Sequence, residues 1–182
     1  MDMRQILKYL ADLSENNNWE WYRAYRMEND RSPLNPSFRA HISSKGKQPV
    51  PVGYYLMIKS GGQSFLRGGL STNMFKDATT MIRDYIAEHG DEFGEIVYFP
   101  EFQKYFEVQG TSLKNVPAGY ELEHPQAEYL KFKNWYLKYP VADEVLNDSE
   151  AFIEEAVKMF HVMKPFNDYL NKALDGFRMP TR

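Results

Sequence analysis

Arg39 and His41 stand two residues apart in a stretch that alternates apolar and polar residues, and Arg67 stands in a second such stretch 25 residues or more further on. Guanidinium forks and an imidazole brought together on one face of a sheet suit a carboxylate or phosphate, because the planar fork donates two parallel hydrogen bonds to such an anion. The plainer alternative is that each cation pairs with one of the 25 acidic residues at the surface. His124 has Glu121 and Glu123 before it and Glu128 after it. Two or three such side chains make a poor metal site, and Pro125 suits a first helical position, so His124 reads as a residue at a helix cap and no metal is expected. Lys131, Phe132, Lys133, Trp135, Tyr136, Lys138 and Tyr139 interleave cations with rings, as single-strand nucleic-acid binders do. A solvated strand with one buried face explains the same pattern. No nucleophile elbow with histidine and acid partners stands out, and no paired-carboxylate motif does. The glycines lack the lysine and hydroxyl residue that a phosphate loop needs, and no cofactor motif is found.

These residues must be positioned by elements whose periods can be read. Met3, Ile6, Leu7, Leu10 and Leu13 recur at helical spacing, and the polar run 14–18 ends that helix. From Phe38 the period becomes two, which sets Phe38, Ala40 and Ile42 toward a core and Arg39 and His41 away from it. Further strands are predicted near 52–59 and 64–70, joined at Gly61-Gly62, because two residues without a Cβ accept the positive φ of a tight hairpin. A two-residue turn would set Tyr54 opposite Gly69 and Tyr55 opposite Gly68, each glycine covered by a ring. Met74, Phe75, Ala78, Met81, Ile82, Tyr85 and Ile86 form an amphipathic helix closed by His89-Gly90. Short helical turns follow around Phe93 and after Pro100 and Pro125, and 135–139 reads as a strand stopped by Pro140. Asp148 or Ser149 caps a closing helix with Phe152, Ile153, Ala156, Val157, Phe160 and Met163 on one face, and Pro165 is expected to bend or break it into a kinked pair. The predicted class is α+β, a small antiparallel sheet packed by helices, in a single domain over 1–182.

Composition narrows what such a domain does. A chain of 182 residues that is 43% hydrophobic and 15% aromatic supports one sizeable core. Without cysteine there is no disulfide framework, no thiolate zinc site and no cysteine nucleophile, and a reducing compartment follows. The amino-terminal residues lack the apolar stretch of a signal peptide, and no run has the length of a membrane span, so the expected location is the cytoplasm. A formal net charge of −3 argues against general nucleic-acid binding.

An ordered set of short motifs carries a resemblance. Asn16-Asn17-Asn18-Trp19-Glu20-Trp21-Tyr22, Asp30-Arg31-Ser32-Pro33, Tyr54-Tyr55-Leu56, Gly68-Gly69, Leu113-Lys114, Pro117-x-Gly119-Tyr120, His124-Pro125 and Lys164-Pro165-Phe166-Asn167 follow one another over nearly the whole chain. In that order and spacing the sequence resembles the bacterial and fungal domain-of-unknown-function family 2461. The resemblance implies a shared α+β fold and no assigned activity, and it adds Arg31 and Lys114, the basic members of two motifs, to the candidate anion ligands. The family pattern places a long helix and a basic strand between the tryptophan motif and Asp30. Here only Arg23 to Asn29 separate them, so that element is expected to be missing. Two functions follow as expectations: binding of a small anionic ligand by Arg31, Arg39, His41, Arg67, Lys114 and His124, or a protein-interaction domain that uses exposed aromatic residues such as Trp19, Trp21 and Trp135.

Overall fold

The structure, a computed structural model, describes residues 3–15, 37–43, 52–71 and 76–178. The short connection at 23–29, the tryptophans Trp19 and Trp21, and Arg31 lie outside them. Helix α1 spans Met3–Glu15, strands β1, β2 and β3 span Phe38–Ile42, Tyr54–Ile58 and Ser64–Leu70, and α2 spans Lys76–Glu88. Helices α3 (Gly90–Val97), α4 (Pro100–Tyr105) and α5 (Ala127–Leu130) precede β4 (Trp135–Val141), α6 (Asp143–Leu146) and α7 (Ser149–Ala173). The arrangement is α+β, with one antiparallel sheet in the order β1-β2-β3-β4.

The β2–β3 hairpin turns at Gly61 (φ 77°) and Gly62 (φ 68°), the positive angles expected of this pair. Its register differs from that of a two-residue turn by one step: Tyr55 faces Arg67, Leu56 faces Leu66 and Met57 faces Phe65. The Ser64 hydroxyl causes the difference by accepting from the Lys59 N–H and donating to the Lys59 carbonyl, both at 2.9 Å, so side-chain bonds close a longer turn. Tyr55 therefore does not face Gly68, and the tyrosine opposite Gly69 is Tyr136 of β4 rather than Tyr54. Gly69 has φ 87° and donates its N–H to Asn167 Oδ1 at 2.7 Å, and a Cβ on Gly68 would lie 3.1 Å from that same oxygen. The glycine pair is the place where α7 comes down onto the sheet.

Leu66, Trp135, Leu137 and Val141 bury one sheet face against Met159, Met163, Phe166 and Leu170 of α7, with Ile82, Ile86 and Phe93 completing the core. Strand β1 lies at the edge of that layer. Phe38 and Ile42, expected in the core, are 51% and 53% exposed, because α7 packs over β3 and only Ala40 of the alternate set is half-covered. Strand β4 continues through Pro140, which is tolerated because β4 is the opposite edge strand. Asp148 caps α7 as expected, accepting from the N–H groups of Glu150 and Ala151. The two segments expected on either side of Pro165 run on as one helix of 25 residues, since the apolar faces before and after the proline both pack on the core. Its buried stripe runs through Phe152, Ala156, Met159, Met163 and Phe166, and Ile153 and Val157 are left exposed.

Candidate functional site

Strand register assembles the basic residues. The β1–β2, β2–β3 and β3–β4 pairings align His41, Tyr55, Arg67 and Lys138 in one row across the sheet and Arg39, Met57, Phe65 and Pro140 in the next alternate row. Residues two apart on a strand share a face, so Arg39, His41, Arg67 and Lys138 stand on the face opposite Leu66 and Leu137. The shift of one residue in the hairpin is what moves Arg67 from the side of Leu56 to this one.

Arg67 lies at the centre. Its Cζ sits 4.8 Å from the centroid of the Phe65 ring and 4.6 Å from that of Tyr136, and Lys138 Nζ sits 5.0 Å from the Phe65 centroid. Tyr55 stacks on Phe65 with centroids 6.1 Å apart. Ring faces hold the guanidinium in place by attraction to the ring quadrupole. Arg67 Nε is buried and has no hydrogen-bond partner among the described residues, which is costly for a charged donor. The row also sets Arg67 directly across from Lys138, a like-charge pair that opposes folding. No aspartate or glutamate occurs among the strand residues of this face to offset it. Arg39 Nε donates to Ser37 Oγ at 3.1 Å, and the His41 ring lies over Gly53, where an added Cβ would come within 2.6 Å of Nε2.

The remaining candidates lie elsewhere. His124 is half-buried beside Gly90, with Nδ1 accepting from the Gln126 N–H at 3.0 Å and Nε2 donating to the Ala87 carbonyl at 3.2 Å. Both ring nitrogens are thus used in joining the segment before α5 to the end of α2. Lys114 is exposed in the loop after the Ser112–Phe132 bridge. Trp135, expected as part of an exposed aromatic surface, is fully buried and donates its indole N–H to the Tyr129 carbonyl at 3.0 Å. The run 131–139 divides between two faces of β4 and its approach: Tyr136 and Lys138 join the basic face, Leu137 faces the core, and Lys131 pairs with Glu128 at 2.5 Å. Lys138 is a cation of this face that was not among the expected site residues, and its alternation with Trp135, Leu137 and Tyr139 is the signal that places it there. No group of three or more histidine, aspartate or glutamate side chains able to hold a metal occurs among the described residues, and no helix among them is long and apolar enough to cross a membrane.

No curated protein and no solved structure matches the chain. The family described as conserved hypothetical protein (DUF2461) matches residues 22–169, which include the whole sheet and all but the last turn of α7. The chain belongs to the DUF2461 family.

Proposed function

We propose that this protein binds a small anionic ligand, a carboxylate or a phosphate, on the outer face of its sheet, with Arg67 as the principal donor and Arg39, His41 and Lys138 around it. The observation that carries this reading is Arg67 itself. It is fixed between two rings, set across from a lysine, and its buried Nε has no acceptor among the described residues. Two cations at such range are stabilised by an anion between them. The rings of Tyr55, Phe65 and Tyr136 lower the local dielectric and strengthen that interaction.

The test is a thermal-shift screen against inorganic phosphate, nucleotides and small organic acids, repeated with Arg67→Gln and Arg39→Gln. A ligand at 100 times its dissociation constant is expected to add about 2.7 kcal/mol. Arg67→Gln is expected to abolish that gain and to change the stability of the free protein by less than about 1 kcal/mol, since the cation–π contacts it loses are offset by relief from Lys138. Binding retained in Arg67→Gln, or a large loss of stability with binding unchanged, would make Arg67 a structural residue. The second reading, an interaction domain built on exposed aromatic residues, draws support from Tyr98 and Phe99, which are 53% and 56% exposed next to each other where α3 passes into α4.

A further inference from the structure

A groove of about 230 Å³ opens between the end of α3, the start of α4 and the middle of α7, far in sequence from the basic face. Its walls are apolar, from Phe99, Phe102, Val162 and Pro165, and Glu95 and Glu101 stand exposed along it without an ion-pair partner among the described residues. Lys158 of α7 sits over the Tyr105 ring at 5.2 Å, within electrostatic reach of Glu101 but without a direct ion pair to it.

Two backbone features add negative character to the same walls. Pro165 has no N–H, so the His161 carbonyl one turn earlier lacks the donor that closes a helical bond, and His161, Val162 and Pro165 line the groove together. Glu95 and Ile96 belong to the last turn of α3, the helix end whose partial negative charge favours a cation, although the Gly94 and Ile96 carbonyls already accept the N–H groups of Tyr98 and Phe99. Apolar walls select a hydrocarbon body. Two carboxylates, a freed carbonyl and a helix carboxyl end select a positively charged donor with several N–H groups. The volume lies below the roughly 300 Å³ at which pockets for drug-sized molecules begin, so the occupant is small.

We propose that this groove is a binding site for a small organic ammonium ion with an apolar body, its hydrocarbon part on Phe99, Phe102, Val162 and Pro165 and its N–H groups directed to Glu95, Glu101 and the His161 carbonyl. The site takes a cation and shares no residue with the basic sheet face, so each stands or falls without the other.

The experiment titrates the full ¹⁵N-labelled chain with 2-phenylethylammonium and, separately, with the neutral 2-phenylethanol, in one buffer at about pH 8, where an alkylammonium probe is charged. Amide shifts are expected at 95–102 and around Val162, and the ammonium is expected to bind about tenfold more tightly than the alcohol, the equivalent of one charge-assisted hydrogen bond. Replacing both acids, Glu95→Gln with Glu101→Gln, is expected to erase that preference while leaving the melting temperature in place, because both side chains are exposed. Pro165→Ala returns an N–H to the His161 carbonyl and removes part of the apolar wall, so it is expected to weaken both probes and the ammonium several-fold more than the alcohol. Equal affinity for the two probes, a preference undiminished in the double variant, or shifts confined to other elements would overturn the proposal. So would the absence of any shift up to about 10 mM ammonium, which lies beyond the weakest affinity of interest.

Discussion

Asn167 is buried in the middle of α7, a position where a polar side chain must be matched atom by atom. Its Oδ1 accepts the Gly69 N–H, which the positive φ of that residue turns toward the helix, and its Nδ2 reaches the Gly53 carbonyl at 3.5 Å. One amide thus satisfies the irregular backbone of two strands. Asn167→Ala is expected to lower stability by about 2–3 kcal/mol, because it removes a buried acceptor and leaves the Gly69 N–H without a partner. Urea denaturation checks this through a lower midpoint at unchanged slope. Gly69→Ala is expected to be worse still, since its Cβ would lie 2.3 Å from the Trp135 carbonyl oxygen at a backbone angle that alanine rarely adopts. The glycine pair is legible in the sequence as something to be explained, and so is Asn167 in its motif. That one answers the other across 98 residues is a tertiary fact that no local period carries.

At the level of elements, the hairpin tip is held from outside by α6. The N–H groups of Gly61 and Gly62 converge on Asp143 Oδ2 at 2.9 and 3.1 Å, a small anion nest filled by the chain's own carboxylate. The other oxygen, Oδ1, is buried without a hydrogen-bond partner among the described residues. Asp143→Ala is expected to cost about 1–2 kcal/mol, and Asp143→Asn less, because the amide keeps an acceptor for both glycines and removes a poorly compensated charge. Chemical denaturation of the two variants side by side tests the order, and an asparagine variant as weak as the alanine one would show that the charge itself is required. Element type was legible here because helices and strands declare their periods: α2, α7 with its Asp148 cap, and the β2–β3 hairpin follow from spacing and turn chemistry. Register was not, because it hangs on the Ser64 hydroxyl, and a single step decides whether Arg67 meets the core or joins Arg39 and His41. Arg39 and His41 were recognised from alternation alone. Lys138 was harder to place: its strand was legible up to Pro140, but that this strand pairs with β3 and sets Lys138 across from Arg67 is not written in any local pattern.

Across the whole molecule, three tyrosine hydroxyls tie separate layers together. Tyr120 donates to Asp84 on α2 and Tyr139 on β4 donates to Glu155 on α7, each at 2.7 Å. Tyr169 on α7 reaches the carbonyls of Tyr85 and His89, at 3.3 and 3.2 Å, where α2 ends. Burial first, and then the acceptor carboxylate, push Tyr120 and Tyr139 up to about 12, and burial raises Tyr169 as well. The consequence for stability has a definite sign. A phenol whose folded pKa lies above its unfolded value of about 10 contributes fully below pH 10, where both states are protonated, and that contribution is lost as pH rises through the folded value. Between pH 10 and 12 the unfolded chain releases protons that the native state retains, so stability falls across that window. Urea midpoints measured from pH 8 to 12 should therefore decline steeply in the parent protein. The decline should become shallower in Tyr139→Phe and Tyr120→Phe, each of which lacks one of the ionisations that favour unfolding. A parent protein with flat stability over this range, or variants that decline as steeply as the parent, would mean that these hydroxyls do not keep their protons in the native state and that the ties between sheet, α2 and α7 rest on apolar packing alone.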